Sequence, residues 1–310
     1  MEEKINKISL LFFSSLLLFA AGCAGSAVSS EEFYSIGMAY FDLGKYEDAE
    51  RWLNRARQAN RTMIASTYNL GRLAFERQRY DEAARHFENI LRRDGDNVLA
   101  LRAAAYTRIV MGDIESAQRH YARLLTLVPE SADSGYNHAL VLYAMGRYTD
   151  AEEVLERFHI ALMENSDNLL LYARCRAALN KVEAIESYAA WLETNTSPKV
   201  RYEYGQTLEK HEFYARALEE YRRAYSDSTA ASADPKRSDI RFAIAKVLLI
   251  ADGSSREGIT ELQGAVTEGF NNAAAVEGLL TRVSAANRDS IRNIIGTMRQ
   301  AAEAPSEANP

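Results

Sequence analysis

The side chains that most often perform chemistry in proteins are few in this chain, and their spacing fits no catalytic motif. The 310 residues include five histidines and two cysteines. No histidine pair has the HExxH spacing of a zinc site, and no cysteine–histidine cluster has metal-ligand spacing. Glycine-rich phosphate loops and the GxSxG turn of hydrolases are also absent from the sequence. We therefore expect no catalytic residue, no metal site, no cofactor and no enzymatic activity.

Three of the histidines have a structural explanation. His86 and His120 share one position of a pattern that recurs along the chain, so a structural repeat accounts for both without a catalytic role. His138 directly precedes Ala139, a small residue of the same periodic pattern. We expect His138 to be a core histidine on a packed helix face.

Cys23 is the residue for which the sequence predicts a covalent modification. Two lysines in the first seven residues precede an apolar stretch over residues 8–21, and small residues lead into Cys23. This order is typical of a secretory signal, and the apolar stretch is short for a membrane span. The small residues before the cysteine resemble the bacterial lipobox, which implies that Cys23 is diacylglyceryl-modified and becomes the new N-terminus. A plain secretory signal with an incidental cysteine, or an uncleaved anchor, remains an alternative.

The second cysteine, Cys175, has a different expected role. It lies between Ala173 and Ala177 on a predicted helix, where a small apolar residue suits a buried position. No basic cluster or paired histidine surrounds it that would activate the thiol. We expect an inert, buried side chain.

The elements that position these residues follow from a repeat with a period of about 34 residues. Small residues form two series at this step, which are Gly37, Gly71, Ala105, Ala139, Ala173 and Ala49, Ala83, Ala117, Ala151. Bulky residues and turn residues form two more, which are Leu53, Phe87, Tyr121, Leu155 and Gly44, Gln78, Gly112, Gly146. A small residue on a first helix lets a second helix approach, and the bulky residue covers the gap. One such unit cannot bury its apolar faces alone, so neighbouring units must stack.

This pattern resembles the tetratricopeptide repeat (TPR) family. The resemblance implies an all-α fold, a right-handed superhelical α-solenoid of about seven TPR-like helix–turn–helix repeats with C-terminal capping helices. The expected order is a lipoprotein signal peptide over 1–22, a lipidated cysteine and tether over 23–30 and repeats 1–6 over 31–225. A loop over 226–238, a divergent repeat 7 over 239–270, capping helices over 271–303 and a disordered tail over 304–310 complete the chain. In the fifth repeat, the turn after Asn180 loses one residue relative to the earlier repeats.

In the TPR family the first helix of each pair lines a concave face that binds partners. The resemblance assigns a groove of aromatic, arginine and asparagine side chains to the first helices here. Its members are Tyr34, Phe41, Tyr68, Asn69, Arg72, Phe75, Arg102, Tyr106, Tyr136, Asn137, Tyr143 and Arg174. Tyrosine and arginine are enriched at binding hot spots, and arginine captures carboxylates with two hydrogen bonds. A peptide or helix with apolar anchors and an acidic group would suit this groove, although some of the tyrosines are expected to pack between repeats.

Charge and location narrow the choice of partner. The formal net charge is −6, whereas nucleic-acid binding needs a basic surface, so we expect no nucleic-acid partner. The leading hypothesis is a scaffold or adaptor of the bacterial cell envelope. It would be held at the periplasmic side of a membrane, or at the outer membrane, by the lipid on Cys23, and would bind another envelope protein. The alternatives are an accessory subunit of a periplasmic solute-transport system and a structural or adhesive surface lipoprotein.

Overall fold

A computed structural model describes residues 28–158, 166–229, 234–251 and 256–303. In these residues the regular structure is helical, as the sequence predicts. The α-helices of the first half are α1 (Ser30–Asp42), α2 (Tyr46–Ala59), α3 (Ile64–Glu76), α4 (Tyr80–Leu91), α5 (Val98–Val110), α6 (Ile114–Leu127), α7 (Ala132–Ala144) and α8 (Tyr148–Glu156). Those that follow are α9 (Ser166–Ala178), α10 (Ala184–Thr194), α11 (Pro198–Lys210), α12 (Tyr214–Asp227), α13 (Arg237–Ala251), α14 (Arg256–Thr267), α15 (Ala273–Glu277) and α16 (Ala285–Glu303).

The repeat step read from the sequence sets the helix boundaries. The first helices α1, α3, α5, α7 and α9 begin at residues 30, 64, 98, 132 and 166, and the second helices α2, α4, α6 and α8 keep the same step. Each first helix packs against the second helix that follows it. The all-α repeat architecture predicted from the sequence is therefore confirmed.

The turn inside each helix pair contains a residue in the left-handed backbone region. Its φ is +69° at Gly44, +75° at Gly112 and +73° at Gly146, the glycines of the predicted turn series. The second pair has Gln78 at the same place, with φ +59°. Glycine adopts this conformation freely, whereas a side chain with a Cβ is strained there. Gln78 is thus an unfavourable residue at a position that otherwise favours glycine.

The substitution Gln78→Gly is expected to raise the free energy of unfolding of the first helix pairs by about 1 kcal/mol. It removes the Cβ strain while the backbone keeps its conformation. Gln78→Ala is the matched control, because it keeps a Cβ and should leave stability nearly unchanged. Urea unfolding followed by circular dichroism measures both. If the glycine variant were no more stable than the alanine variant, the strain argument would be contradicted.

The predicted pairing of small and bulky residues places glycine directly beneath a large side chain. A Cβ added to Gly71 would lie 2.6 Å from Cε1 of Phe87, and one added to Gly205 would lie 2.5 Å from Cε1 of Tyr221. Phe87 and Tyr221 are both buried. The close approach of the two helices in a pair therefore requires the absence of a side chain at these glycines.

Gly71→Ala should destabilise the fold by about 1–3 kcal/mol, because the added Cβ forces the buried Phe87 ring to shift within a packed core. Gly296→Ala is the control: it also replaces a glycine inside a helix, but its Cβ would meet no atom within 4 Å. Since alanine favours helix over glycine, Gly296→Ala should instead stabilise by up to about 1 kcal/mol. Thermal unfolding of the two variants would reveal opposite shifts of Tm, and shifts of the same sign would refute the packing account.

The chain divides into two compact units, residues 1–134 and 135–310. In the first unit, Ala49 and Leu53 of one helix pair form a buried cluster with Leu70 and Leu73 of the next pair. In the second unit, a cluster of large side chains includes Tyr188, Trp191, Tyr204 and Tyr221. Near the C-terminus, α16 has an apolar stripe of Ile291, Ile294, Ile295 and Met298, which is buried against α13, α14 and the short helices before α16.

The structure differs from the sequence-based expectation in the C-terminal cap and agrees with it in the fifth repeat. The capping helices expected over 271–303 are the long α16 and, before it, only the short α15 followed by a 3₁₀ turn over Gly278–Thr281. In the fifth repeat Asn180 keeps the left-handed turn position, with φ +58°, and the missing residue falls after it. As a result the buried Ala184 and Tyr188 follow Ala151 and Leu155 by one position less than a full repeat step.

Several expectations fall on residues that the structure does not describe. The signal peptide, Cys23 with most of the tether, part of the 226–238 loop and the tail over 304–310 lie outside the described residues. Within the described part, no helix is both long enough and apolar enough to cross a membrane.

Candidate functional site

The first unit brings together eight of the predicted groove residues on its first helices. We call this surface the first-helix face. It is formed by Tyr34, Phe41, Tyr68, Asn69, Arg72, Phe75, Arg102 and Tyr106 on α1, α3 and α5. Contacts between the helices make it continuous, since Arg72 of α3 lies over Phe41 of α1 and Phe75 of α3 touches Tyr106 of α5.

Arg72 is held in place by its neighbours. Asn69 Nδ2 donates a hydrogen bond to the Tyr34 hydroxyl over 3.0 Å, and Arg72 Nη1 donates to Asn69 Oδ1 over 3.0 Å. The Arg72 guanidinium carbon lies 4.9 Å from the centre of the Phe41 ring. Asn69 is buried, so it orients Arg72 rather than offering its own amide to a partner. Arg72 itself is exposed, and no carboxylate of the described residues pairs with it.

The aromatic residues of the face divide into packed and exposed members. Tyr68 lies 5.6 Å from the buried Phe87 ring. Phe75 lies 5.2 Å from Tyr80 and 5.5 Å from Tyr106 between ring centres. Tyr68 and Phe75 are half-buried and support the face, whereas Tyr106 is 50% exposed. Tyr68 thus packs within its own helix pair, whereas Tyr106 touches the neighbouring repeat and is also exposed.

An exposed stripe along α5 extends the first-helix face beyond the eight residues that define it. Leu99, Arg102, Tyr106 and Val110 recur at helical spacing and are all exposed. Leu99 and Val110 are not among the residues predicted from the sequence, because the predicted contact positions lie close to the small residue of each repeat. The repeat step gives the missing signal: the preceding repeat has Ala65 and Glu76 at the positions of Leu99 and Val110. Relative to the second repeat, the third repeat therefore has additional exposed apolar side chains on its first helix, α5.

The remaining four predicted groove residues lie in the second unit. Tyr136, Asn137, Tyr143 and Arg174 are partly buried. Burial raises the pKa of Tyr136, with a further contribution from Asp167. The Tyr143 ring lies 5.1 Å from Tyr148.

Arg174 is engaged within its own chain, which changes its expected role. Its Nε and Nη2 donate to the two carboxylate oxygens of Glu203 over 2.8 and 3.0 Å. The bidentate geometry expected for a partner's carboxylate is thus taken by Glu203. Both side chains line a cleft of about 360 Å³ together with Tyr143, Tyr188, Gln206 and Lys210. Lys210 is the exposed cation of this cleft, and sequence reasoning did not select it because it closes α11.

A wider cleft of about 820 Å³ in the first unit lies among α2, α4 and α5, away from the first-helix face. Charged side chains line it, and several of them neutralise one another. Glu88 accepts a hydrogen bond from Arg108 over 3.4 Å and contacts His120 Nε2 over 3.1 Å. Both contacts lower the pKa of Glu88, and the contact with His120 has the larger effect. Burial lowers the pKa of His86, and nearby Arg57 lowers it further. The arrangement is a surface ion network, and its histidines have structural partners.

The other candidate chemical groups are structural. His138 is buried, as expected, and burial with Arg147 and Arg157 nearby lowers its pKa to about 4. No cluster of histidine, cysteine, aspartate or glutamate among the described residues could hold a metal ion. Cys175 is fully buried, and burial, together with the negative charge of Glu152, raises the pKa of its thiol to about 12.

Cys175 is consequently expected to resist thiol reagents in the folded protein. A maleimide should label it at least about a hundredfold more slowly than a free cysteine, because reaction needs an accessible thiolate. Quantitative labelling after denaturation in urea is the control. Labelling of Cys175 at the rate of an exposed thiol under native conditions would contradict its burial.

Profiles of known families match this chain in three stretches. Profiles described as tetratricopeptide repeat match residues 33–62 and 74–134. A profile described as anaphase-promoting complex, cyclosome, subunit 3 matches residues 110–190.

Two kinds of relative share part of this sequence. The N-alpha-acetyltransferase 16, NatA auxiliary subunit of Mus musculus is 28% identical over 116 residues, which are 37% of this chain and 13% of the relative. The chain therefore spans only a small part of that protein. An uncharacterized lipoprotein of Treponema pallidum (strain Nichols) is 24% identical over 172 residues, covering 56% of this chain and 86% of the relative.

Solved structures show the same fold. A tetratricopeptide repeat protein from Parabacteroides merdae ATCC 43184 superposes with a TM-score of 0.55 at 17% identity, covering 88% of this chain and all of that one. YrrB, described as a TPR protein with an unusual peptide-binding site, gives a TM-score of 0.53 at 20% identity, covering 56% of this chain and 91% of its own. At these identities the likeness concerns the fold alone.

Proposed function

Because this chain belongs to the tetratricopeptide repeat family, we propose that it is a membrane-anchored scaffold that binds a segment of another envelope protein on its first-helix face. The observation that carries this proposal is the exposed stripe of Leu99, Arg102, Tyr106 and Val110 on α5. Exposed apolar side chains in a continuous row are typical of an interaction surface.

The chemistry of the face indicates the kind of segment it takes. Tyr106, Leu99 and Val110 offer apolar contact area, and the exposed Arg72 and Arg102 have no carboxylate partner among the described residues. A short helix or extended peptide with apolar side chains and at least one carboxylate satisfies both requirements. The two clefts described above are open and lined by charged side chains, unlike the enclosed apolar pocket that a solute-handling role would favour.

The anchoring part of the proposal rests on Cys23. The apolar segment before it and the small residues that lead into it match the requirements for lipid modification of an exported protein. The Treponema relative, which aligns over most of its own length, is named a lipoprotein. Growth of the native organism with a labelled palmitate should label the protein, and Cys23→Ala should abolish that label.

Site-specific photo-cross-linking tests the binding face. A photoreactive phenylalanine analogue at position 106 should cross-link to one defined envelope protein in intact cells. Position 119 is the control, because Arg119 lies exposed on α6, outside the first-helix face, with its side chain bonded to Ser116 of the same helix. A cross-linked product at position 119 but not at position 106 would contradict the assignment of the face.

A further inference from the structure

The first helix pair carries a group of partly exposed aromatic and apolar side chains on α1 and α2, of which Tyr40 also packs against the buried cluster of Ala49 and Leu53. Phe33, Ile36 and Tyr40 recur at helical spacing on α1, and the Trp52 ring of α2 lies 5.8 Å from Phe33. All four are only half-buried. We call these four residues the N-terminal end face.

The corresponding positions of Ile36 and Tyr40 in the second pair are buried. One repeat step along the chain takes Ile36 to Leu70 and Tyr40 to Ala74, and both of these are buried. Leu70 belongs to the apolar cluster with Ala49 and Leu53 of the preceding pair. Ile36 and Tyr40 thus hold positions that are buried in the second pair, and Tyr40 is larger than its equivalent Ala74. In the described residues nothing stacks on it.

This end is unlike the other end of the repeat array. Solenoids keep their ends soluble with terminal elements that present a polar outer face. The C-terminal helix α16 does so, since its outward residues include Arg288, Asp289, Arg292 and Arg299. At the N-terminal end the aromatic residues are instead flanked by Val28 and Leu43, which are 48% and 70% exposed.

The cations next to the aromatic rings suit a lipid surface. The Arg55 guanidinium carbon lies 4.7 Å from the centre of the Trp52 ring, and Lys45 Nζ lies 6.0 Å from that of Tyr40. Aromatic rings with a polar edge prefer the boundary between acyl chains and headgroups, and arginine and lysine reach from there to phosphate. The acidic Glu32 nearby is already satisfied, since it accepts from the backbone N–H of Ser29 in a capping box.

The position of the proposed anchor brings this surface to a bilayer. The first helix α1 begins at Ser30, close behind Cys23 in the sequence, so a fully extended tether reaches at most about 25 Å. Phe33 lies in the first turn of α1, next to the point where the tether arrives.

We propose that the N-terminal end face docks on the headgroup interface of the membrane, with Trp52 and Phe33 at the depth of the upper acyl chains. This inference rests on the proposed anchoring at Cys23. It gives the first unit an orientation, with its first helix pair at the membrane.

The two tryptophans of the chain provide the test. Trp52 belongs to the end face and Trp191 is buried in the second unit. The mature chain from Cys23 onward is coupled through the Cys23 thiol to maleimide lipids in vesicles of phosphatidylcholine and phosphatidylglycerol, while the buried Cys175 stays unreacted. In the Trp191→Phe chain, acyl-brominated lipids should quench about half of the Trp52 emission. In the Trp52→Phe chain, Trp191 emission should not change.

Chemical coupling separates this test from the anchoring proposal, because failed palmitate labelling in cells contradicts only the latter. Ile36→Glu should abolish the quenching of Trp52 while the coupled chain still floats with the vesicles and keeps its helical circular dichroism. The end-face assignment would be overturned if aqueous iodide quenched Trp52 emission and brominated lipid did not. A second result would also overturn it: Trp52 is shielded from iodide, brominated lipid does not quench it, and the particle mass in solution is doubled. In that case a second copy of the chain would cover the end face.

Discussion

Replacing Glu152 with alanine is expected to lower the free energy of unfolding of the second unit by about 3 kcal/mol. Glu152 lies on α8, and its side chain is only 4% exposed. Its Oε1 accepts from Arg176 Nε over 3.2 Å, and its Oε2 accepts from Lys181 Nζ over 2.6 Å. This carboxylate therefore links α8 to α9 and to the turn that follows α9.

The expected loss comes mainly from Arg176. Its guanidinium carbon lies 3.9 Å from the centre of the Tyr172 ring, and its Nη1 donates to Ser187 Oγ over 3.1 Å. These contacts hold the cation largely out of water, so removal of Glu152 leaves it without a counter-charge. Lys181 is nearly half exposed, and solvent can replace its partner at little cost.

Glu153→Ala is the matched control. Glu153 is the next residue on the same helix, exposed to solvent and without an ion pair in the described part of the chain. In a Trp52→Phe background, urea unfolding followed by Trp191 fluorescence reports on the second unit, where Trp191 is packed. Equal unfolding midpoints for the Glu152→Ala and Glu153→Ala variants would show that the buried ion pairs do not stabilise this unit.

The repeat fold was predictable because its requirements are local and recur. Gly71 and Phe87 have the same sequence separation as Gly37 and Leu53, and each pair meets in the structure. A helix pair closed by such a contact leaves few alternative arrangements for a short turn. Even the irregular fifth repeat has a residue with left-handed backbone geometry at the expected turn position, Asn180. The turn conformation is therefore kept there, although the second helix that follows is shifted by one residue.

The candidate site was less predictable, because side-chain engagement depends on partners from other helices. Asn69 and Arg174 have the residue types of contact groups, yet Asn69 is buried beneath Tyr34 and Arg174 is paired with Glu203. Sequence spacing places these residues on the correct helices, but it does not show which side chains of other helices form hydrogen bonds or ion pairs with them. The exposed Leu99 and Val110 were overlooked because the predicted contact positions lie close to the small residue of each repeat, whereas these two lie farther from Ala105 along α5.

The double substitution Arg102→Glu and Tyr106→Ala should weaken binding of the cross-linked partner at least about a hundredfold, which corresponds to roughly 2.7 kcal/mol. Tyr106 supplies a large exposed ring that rests on Phe75 of the neighbouring helix. Arg102 lies one helical turn away on α5 and has no carboxylate partner among the described residues. Reversal of its charge should repel the acidic group expected in the partner segment.

The substitutions should leave the fold intact, because both side chains are exposed and neither belongs to a buried cluster. Isothermal titration calorimetry with the purified partner measures the affinity, and circular dichroism checks the helical content. Arg119→Glu makes the same charge change on an exposed position of α6 and should preserve binding. If Arg119→Glu weakened binding as much as Arg102→Glu alone, net charge rather than the first-helix face would govern recognition. Full affinity in the double variant would move the binding site away from α5.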